Sequence, residues 1–508
     1  MKQVRSATDG SFVAKILPGK YTILAVAEGY NPVRLAEVEL DRASLANYGF
    51  RLERAGGGNT LPEKRSDRNN PKWNVRAGAL ARSIYQNVEG DLDRSVGEPG
   101  VEDVIEPAEP RSGQRKDSVM SVAETFVVST PEGPYAGLNY ATKFAVNNNI
   151  NVVLAAQTGI GRNAPLRLEG QFDLRPGPDH RIRLRAAYGK IGRFIQGNNS
   201  ETLGQLSFQA TDEWRVREGI VLVYGLDYSR LIGAGDSFSL NPRIGFQYDL
   251  GPKTRLRSAF TSTTENRSWS HAIELEDAQV FFREPASIAD VAVENGEPVL
   301  NRSNRLEFGV ERVIDNRSSV ELNAFFDTTF ARGVAFSAIG SAGQNSAVKD
   351  FTGNQQGESQ GIRVVYSRRL NGLFSTGAGY SFGNGQRVSD QAISSPESLF
   401  ESDLFHTVFG RFDVDLVSGT SIRTVFRFSP QATVFAIDPF QGRLAIYDPG
   451  LSVLVTQSLP TLGLPLRAEA ILDARNLLDS TIGVTNEEGG LRLSHFRRSV
   501  KGSILVRF

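Results

Sequence analysis

An antiparallel β-barrel that crosses a membrane, with about 18 strands (range about 16 to 22) behind a small β-sandwich and a disordered linker, is the mainly-β architecture this sequence predicts. Three observations point to it. A period-two alternation recurs from about residue 120 to the last residue, the connections alternate between short and long, and the final strand ends on an aromatic side chain.

The alternation is clearest at Leu166 to Arg175. Leu166, Leu168, Gly170, Phe172 and Leu174 fall on one face of an extended chain, and Arg167, Glu169, Gln171, Asp173 and Arg175 fall on the other. The same register sets Ile182, Leu184, Ala186 and Tyr188 against Arg181, Arg183 and Arg185. It sets Ile244, Phe246, Tyr248 and Leu250 against Arg243, Gln247 and Asp249, and Ile422, Phe426 and Phe428 against Arg423 and Arg427. One alternating strand is weak evidence, because any half-buried strand reads this way. Its repetition along 390 residues is what a barrel with a lipid face and a polar interior requires.

The candidate lumen-lining residues are therefore Arg167, Glu169, Asp173, Arg181, Arg183, Arg185, Arg243, Asp249, Glu307, Glu311, Arg423 and Arg427. Two readings of these arginines stay open: a charged path that selects what passes, or cross-strand pairing with Glu169, Asp173, Asp249, Glu307 and Glu311 that fills the interior. Pairing is favoured, since Lys plus Arg and Asp plus Glu number 57 each.

Short turns are expected at Pro176–His180, Arg215–Gly219, Leu250–Lys253, Ile314–Arg317, Arg368–Gly372, Val417–Thr420 and Pro460–Pro465, at one rim of the barrel. Longer loops at about 264–302, 330–358, 383–403 and 480–496 would face outward from the cell. An even strand count puts both barrel ends in the periplasm.

In the final strand Val500, Ile504, Val506 and Phe508 form the outward row, with Lys501, Ser503 and Arg507 on the opposite face. A terminal outward aromatic suits the interfacial girdle of a membrane barrel. This row also resembles the C-terminal signature by which the outer-membrane assembly machinery recognises its clients.

The segment 1–54 reads differently. Asp9-Gly10 and Pro18-Gly19 are turn signals around the strand-like Phe12 to Ile16 and Tyr21 to Ala27, and further extended stretches follow at Leu35 to Leu40 and Tyr48 to Leu52. The string TDGSFVAKILPGKYTILAVAEGY resembles the carboxypeptidase regulatory-like domain, without the strand that usually opens it. That resemblance implies an accessory β-sandwich and no peptidase chemistry. Tyr21 and Tyr30 are read as core packing. Residues 55–118, opened by three glycines and carrying Glu-Pro pairs in a charged stretch, read as linker with one short helix at Trp73 to Val88. The barrel unit is 119–508.

Two further strings extend the resemblance. LRAEAILDARNLLD at 466–479 is similar to the penultimate strand of TonB-dependent receptors, closed by an Asn-Leu-hydrophobic-Asp element. NGEPVLNRSNRLEFGVERVIDNRSSVELNAFFDTTF at 295–330 is similar to their mid-barrel hairpin, with its Glu-x-Gly core beginning at Glu307. The resemblance covers about 380 residues and implies an outer-membrane receptor or transporter of unknown ligand, with outer-membrane lipid, the assembly machinery and a TonB-type energy transducer as partners. It departs from the family in two respects: 55–118 is too charged to read as the family's folded plug, and no TonB-box segment is legible.

Other chemistry finds little support. Balanced charge points to no nucleic-acid partner. The chain has no cysteine, so disulfides, thiolate metal sites and thiol nucleophiles are excluded. His180, His271, His406 and His495 lack ligand spacing, and no metal or other cofactor is expected. No nucleophile elbow, phosphate loop or dinucleotide fingerprint occurs, so an enzyme is the least favoured class. His180 is placed in a short periplasmic turn and His406 in an outward row. A start without the apolar core of a signal peptide, on a domain entered in mid-fold, reads as displaced. The function expected is uptake by a receptor barrel, with a passive diffusion channel as the alternative.

Overall fold

The structure is a computed structural model. It describes 120–508 apart from 430–433, 435–449 and shorter stretches in turns and loops, and ahead of these chiefly 19–25, 33–40, 48–50 and 105–107. Eighteen strands close into one antiparallel barrel. They are β1 (Met120–Ser129), β2 (Tyr135–Asn147), β3 (Ile150–Gly161), β4 (Arg167–Leu174), β5 (His180–Gln196) and β6 (Asn199–Arg217). Next come β7 (Ile220–Ile232), β8 (Phe238–Gly251), β9 (Thr254–Thr263), β10 (Ser303–Asp315), β11 (Ser318–Gly340) and β12 (Lys349–Arg369). The last six are β13 (Phe374–Val388), β14 (Phe400–Asp415), β15 (Thr420–Phe428), β16 (Gly450–Leu459), β17 (Arg467–Arg475) and β18 (Ser499–Arg507).

Closure is made by β18, which pairs with β17 on one side and β1 on the other. The seam is sealed where the Ser121 N–H donates to the Phe508 carbonyl at 2.8 Å and the Phe508 N–H donates back at 3.0 Å. A closed ladder leaves no strand edge unpaired, which a chain surrounded by hydrocarbon requires.

Burial follows the alternation. Leu168, Phe172, Ile244, Phe246, Phe426 and Phe428 are exposed on the outer wall, and Arg167, Glu169, Asp173, Arg243, Arg423 and Arg427 between them are buried. An apolar belt of this extent would be a severe liability in water, and it is the surface that lipid tails cover. Among the described residues, no helix is long and apolar enough to cross a membrane, and the crossing is made by strands. In β18 the outward row is exposed at Ile504 (50%) and Phe508 (56%), while Leu505 and Arg507 are buried inside.

The barrel departs from expectation at its outer rim. The segments 330–358 and 383–403 are largely ribbon rather than loop: β11 and β12 stay paired out to Ala338 and Lys349, and β13 and β14 out to Val388 and Phe400. A strand leaving the bilayer keeps its partner because the paired backbone satisfies its own donors and acceptors. His180 is the first residue of β5 rather than part of the preceding turn.

Ahead of the barrel, Gly19–Ala25 pairs antiparallel with Val33–Leu40. Tyr48–Phe50 pairs with Ile105–Pro107, a short strand inside the segment read as linker. The strand expected at Phe12 to Ile16 and the helix expected at Trp73 to Val88 lie outside the described residues.

Candidate functional site in the lumen and at its mouth

The lumen is lined by an ion-pair lattice built from the inward row of each strand. Arg185 on β5 reaches Glu169 at 2.5 Å, and Arg167 reaches the same carboxylate from within β4 at 2.7 Å. Arg181 pairs with Asp173, and Arg183 lies between Asp173 and Glu213 at 3.9 and 3.7 Å. Arg243 binds Asp227, Arg255 binds Asp249 at 2.8 Å and Arg257 binds Glu311 at 2.5 Å. Arg363 on β12 bridges Glu307 on β10 and Glu321 on β11 at 3.2 and 3.0 Å. Arg423 and Arg411 share Asp413. Arg427 is buried on the same inner wall.

Sequence reasoning placed the twelve candidates on one face and named Glu169, Asp173, Asp249, Glu307 and Glu311 as partners, but not which arginine meets which carboxylate. Arg167 pairs within its own strand, and Arg363 spans two strands to Glu307, because a guanidinium on a flexible stem reaches well beyond its nearest cross-strand neighbour.

The loop between β9 and β10, expected to face outward, sends a hairpin into the lumen and keeps Ala292–Val299 at the mouth. Within it Trp269–Leu275 and Ala278–Arg283 form an antiparallel hairpin. Val280 and Phe282 on this hairpin are 3% and 0% exposed, packed among Val122, Ala141, Val153 and Leu505. Those four belong to the inward rows of β1, β2, β3 and β18. Eight strands lie between β9 and β18 either way round the ring, so the hairpin packs on the wall opposite the strand it follows.

A polar clamp fixes its end. The Gln157 side chain on β3 donates from Nε2 to the Arg283 carbonyl at 2.9 Å, and its Oε1 accepts from the Arg283 N–H at 3.0 Å. Gln157 also donates to Asn139 at 3.1 Å, Asn139 donates to Glu124 at 2.7 Å, and Lys501 pairs with Glu124 at 2.8 Å. Burying Val280 and Phe282 contributes about 1.5–3 kcal/mol each. The two clamp bonds add about 1 kcal/mol apiece. Part of that gain is offset by ordering the loop.

The mouth is spanned by a second hairpin, from the loop between β17 and β18. Gly483–Asn486 pairs with Gly489–Leu493, and the latter strand adds to the free side of β11, Phe336 opposite Leu493 through Gly340 opposite Gly489. An apolar cluster seats it, made of Val334, Phe336, Val388, Ala392, Val434, Leu491 and Leu493. On the other side of the mouth Val291 and Leu300 pack against Leu203 and Leu231 at the tops of β6 and β7, and Val293 donates to Asn354 on β12 at 3.1 Å. A turn at Asn295 and Gly296, with φ of 52° and 81°, joins Ala292–Glu294 to Glu297–Val299. Two consecutive left-handed residues make the tight turn a short hairpin needs.

The histidines sit apart from this machinery. His180 Nδ1 is 2.8 Å from Asp212, and its ring stacks on Trp214. Tyr224 also donates to Asp212, at 2.6 Å. His406 Nδ1 is 2.6 Å from the Tyr380 hydroxyl and its ring lies beside Phe382. Among the described residues, no group of three or more His, Asp and Glu is arranged to hold a metal ion.

The luminal hairpin and Gln157 were missed by sequence reasoning. The signal available for the hairpin was AQVFFR at 278–283, a largely apolar strand in a stretch that an exposed loop would keep polar.

No protein-family model and no curated protein sequence matches the chain. Similar solved structures include a mutant of the ferric enterobactin receptor PfeA of Pseudomonas aeruginosa in complex with enterobactin, at 10% identity and TM-score 0.40, over 80% of this chain and 83% of that one. The FrpB iron transporter of Neisseria meningitidis is similar at 10% identity and TM-score 0.39, over 80% and 84%. The siderophore receptor PirA of Pseudomonas aeruginosa is similar at 11% identity and TM-score 0.35, over 80% and 83%. Likeness at this level carries no weight for function, which has to be reasoned from the chain's own residues.

Proposed function

We propose that the chain is a gated uptake receptor of the bacterial outer membrane, taking up a ligand whose identity its residues do not specify. The observation that carries this reading is double obstruction: loop segments of the chain itself cross both the lumen and the mouth. An 18-strand barrel is wide enough to hold an aqueous channel, and an unobstructed one would conduct. A barrel obstructed twice passes its cargo only when something moves it.

The apolar belt and the terminal outward Phe508 support an outer-membrane location, with lipid around the barrel and the assembly machinery as its insertion partner. The strings at 295–330 and 466–479, which resemble TonB-dependent receptors, support coupling to a TonB-type transducer in the periplasm. The runner-up is a passive channel, favoured by the charge-lined wall, which would let water and small solutes pass beside the hairpin. Ion conductance of the full-length chain in a planar bilayer separates the two.

A further inference from the structure

We infer that, of the two obstructions, the Trp269–Arg283 hairpin is the barrier to permeation, a displaceable plug latched by Gln157, and that the mouth hairpin at 483–493 is not. The inference rests on the gated reading and says which segment must move.

Geometry favours the luminal hairpin. It starts from the loop between β9 and β10 and packs inside the lumen on the far wall, against β18, β1, β2 and β3. The mouth hairpin instead adds to the rim, as an extra strand on β11 above the wall of the barrel. The seat is also made for an occupant. In a barrel whose inner rows are dominated by charge, the wall under the hairpin carries Val122, Ala141, Val153 and Leu505, with Ala155 and Ile471 at its margin. Such a patch facing luminal water is unfavourable, and Phe282 and Val280 cover it.

The contacts that seat the hairpin include two apolar side chains, the Gln157 clamp on Arg283, and the Arg283 guanidinium near Glu169. A side-chain amide that pairs with one N–H and one C=O is a latch that can open without breaking any barrel ladder, since among the described residues the hairpin is a two-stranded sheet of its own. Gln157 is thus a positioning residue. Its own remaining bond, to Asn139, keeps the amide oriented when the hairpin leaves.

The test is efflux of a small entrapped fluorophore from proteoliposomes, with folding checked by heat-modifiable migration on a gel. The full-length chain should retain the dye. Replacing residues 269–283 with a short Gly-Ser link should make the liposomes leaky. Phe282→Asp and Gln157→Leu, which keep the chain length, should each raise efflux about tenfold through loss of one seating element. Removing 483–493 should leave efflux low. A folded 269–283 replacement that is as tight as the full-length chain would overturn the plug and leave the gated reading standing, and so would opening by removal of 483–493 alone. A full-length chain that leaks from the start would overturn both.

Discussion

Arg305 on β10 and Asp327 on β11 stand opposite each other in register, and the guanidinium donates two hydrogen bonds of 2.6 Å to the carboxylate, Nε to Oδ1 and Nη2 to Oδ2, with both side chains 1% exposed. The Arg305 guanidinium also lies 4.7 Å above the Phe325 ring. Fork-on-carboxylate geometry of this kind fixes strand register as well as adding energy.

Removing Asp327 takes the bidentate carboxylate from a guanidinium that stays buried. Asp327→Ala should therefore destabilise the barrel by about 3–5 kcal/mol, whereas Arg305→Met combined with Asp327→Leu should recover most of the loss. Urea unfolding in lipid vesicles reads this directly. An Asp327→Ala barrel as stable as the parent would show that luminal water screens the pair.

The terminal Phe508 predicts an assembly defect. Its side chain is outward and exposed, and its backbone seals the seam to Ser121. Phe508→Asp puts a charge at the lipid interface while keeping both backbone bonds, so the folded barrel should lose little stability in vitro. Its insertion in cells should nevertheless fall sharply. Outer-membrane fractionation measures the effect, and normal levels of Phe508→Asp would contradict the role given to this row.

The barrel was legible because each strand carries its environment in its own residues. At Leu166 to Arg175 the two faces can be told apart without knowing any neighbour, and a one-residue slip would put Arg167 in lipid. The lattice inside was less legible. Arg363 reaching Glu307 depends on stagger and side-chain reach, which no local pattern encodes. The luminal hairpin was the least legible of all. Its direction into the lumen is set by Val122, Ala141 and Val153 on the first three strands and Leu505 on the last, all far from the hairpin in sequence and completed as one patch only when β18 pairs with β1. The same holds for Gln157 and Arg283, which are 126 residues apart.

Orientation gives a further prediction. Asn295 is exposed in the turn between Ala292–Glu294 and Glu297–Val299 at the loop end of the barrel, and Asp179 is exposed in the short connection before β5 at the other end. The chain has no cysteine, so single Asn295→Cys and Asp179→Cys variants report without background. A membrane-impermeant maleimide added to intact cells should label the first and spare the second. Equal labelling would invert or abolish the assigned topology.

If loop segments close this barrel until a ligand or a transducer moves them, single-channel recording of the full-length chain in a planar bilayer should show it. With the Phe282 seat and the Gln157 clamp in place, the expected result is a quiet membrane at moderate voltage with at most brief, rare openings. Steady ohmic conductance from the unmodified chain would contradict it and assign the protein to the passive channels.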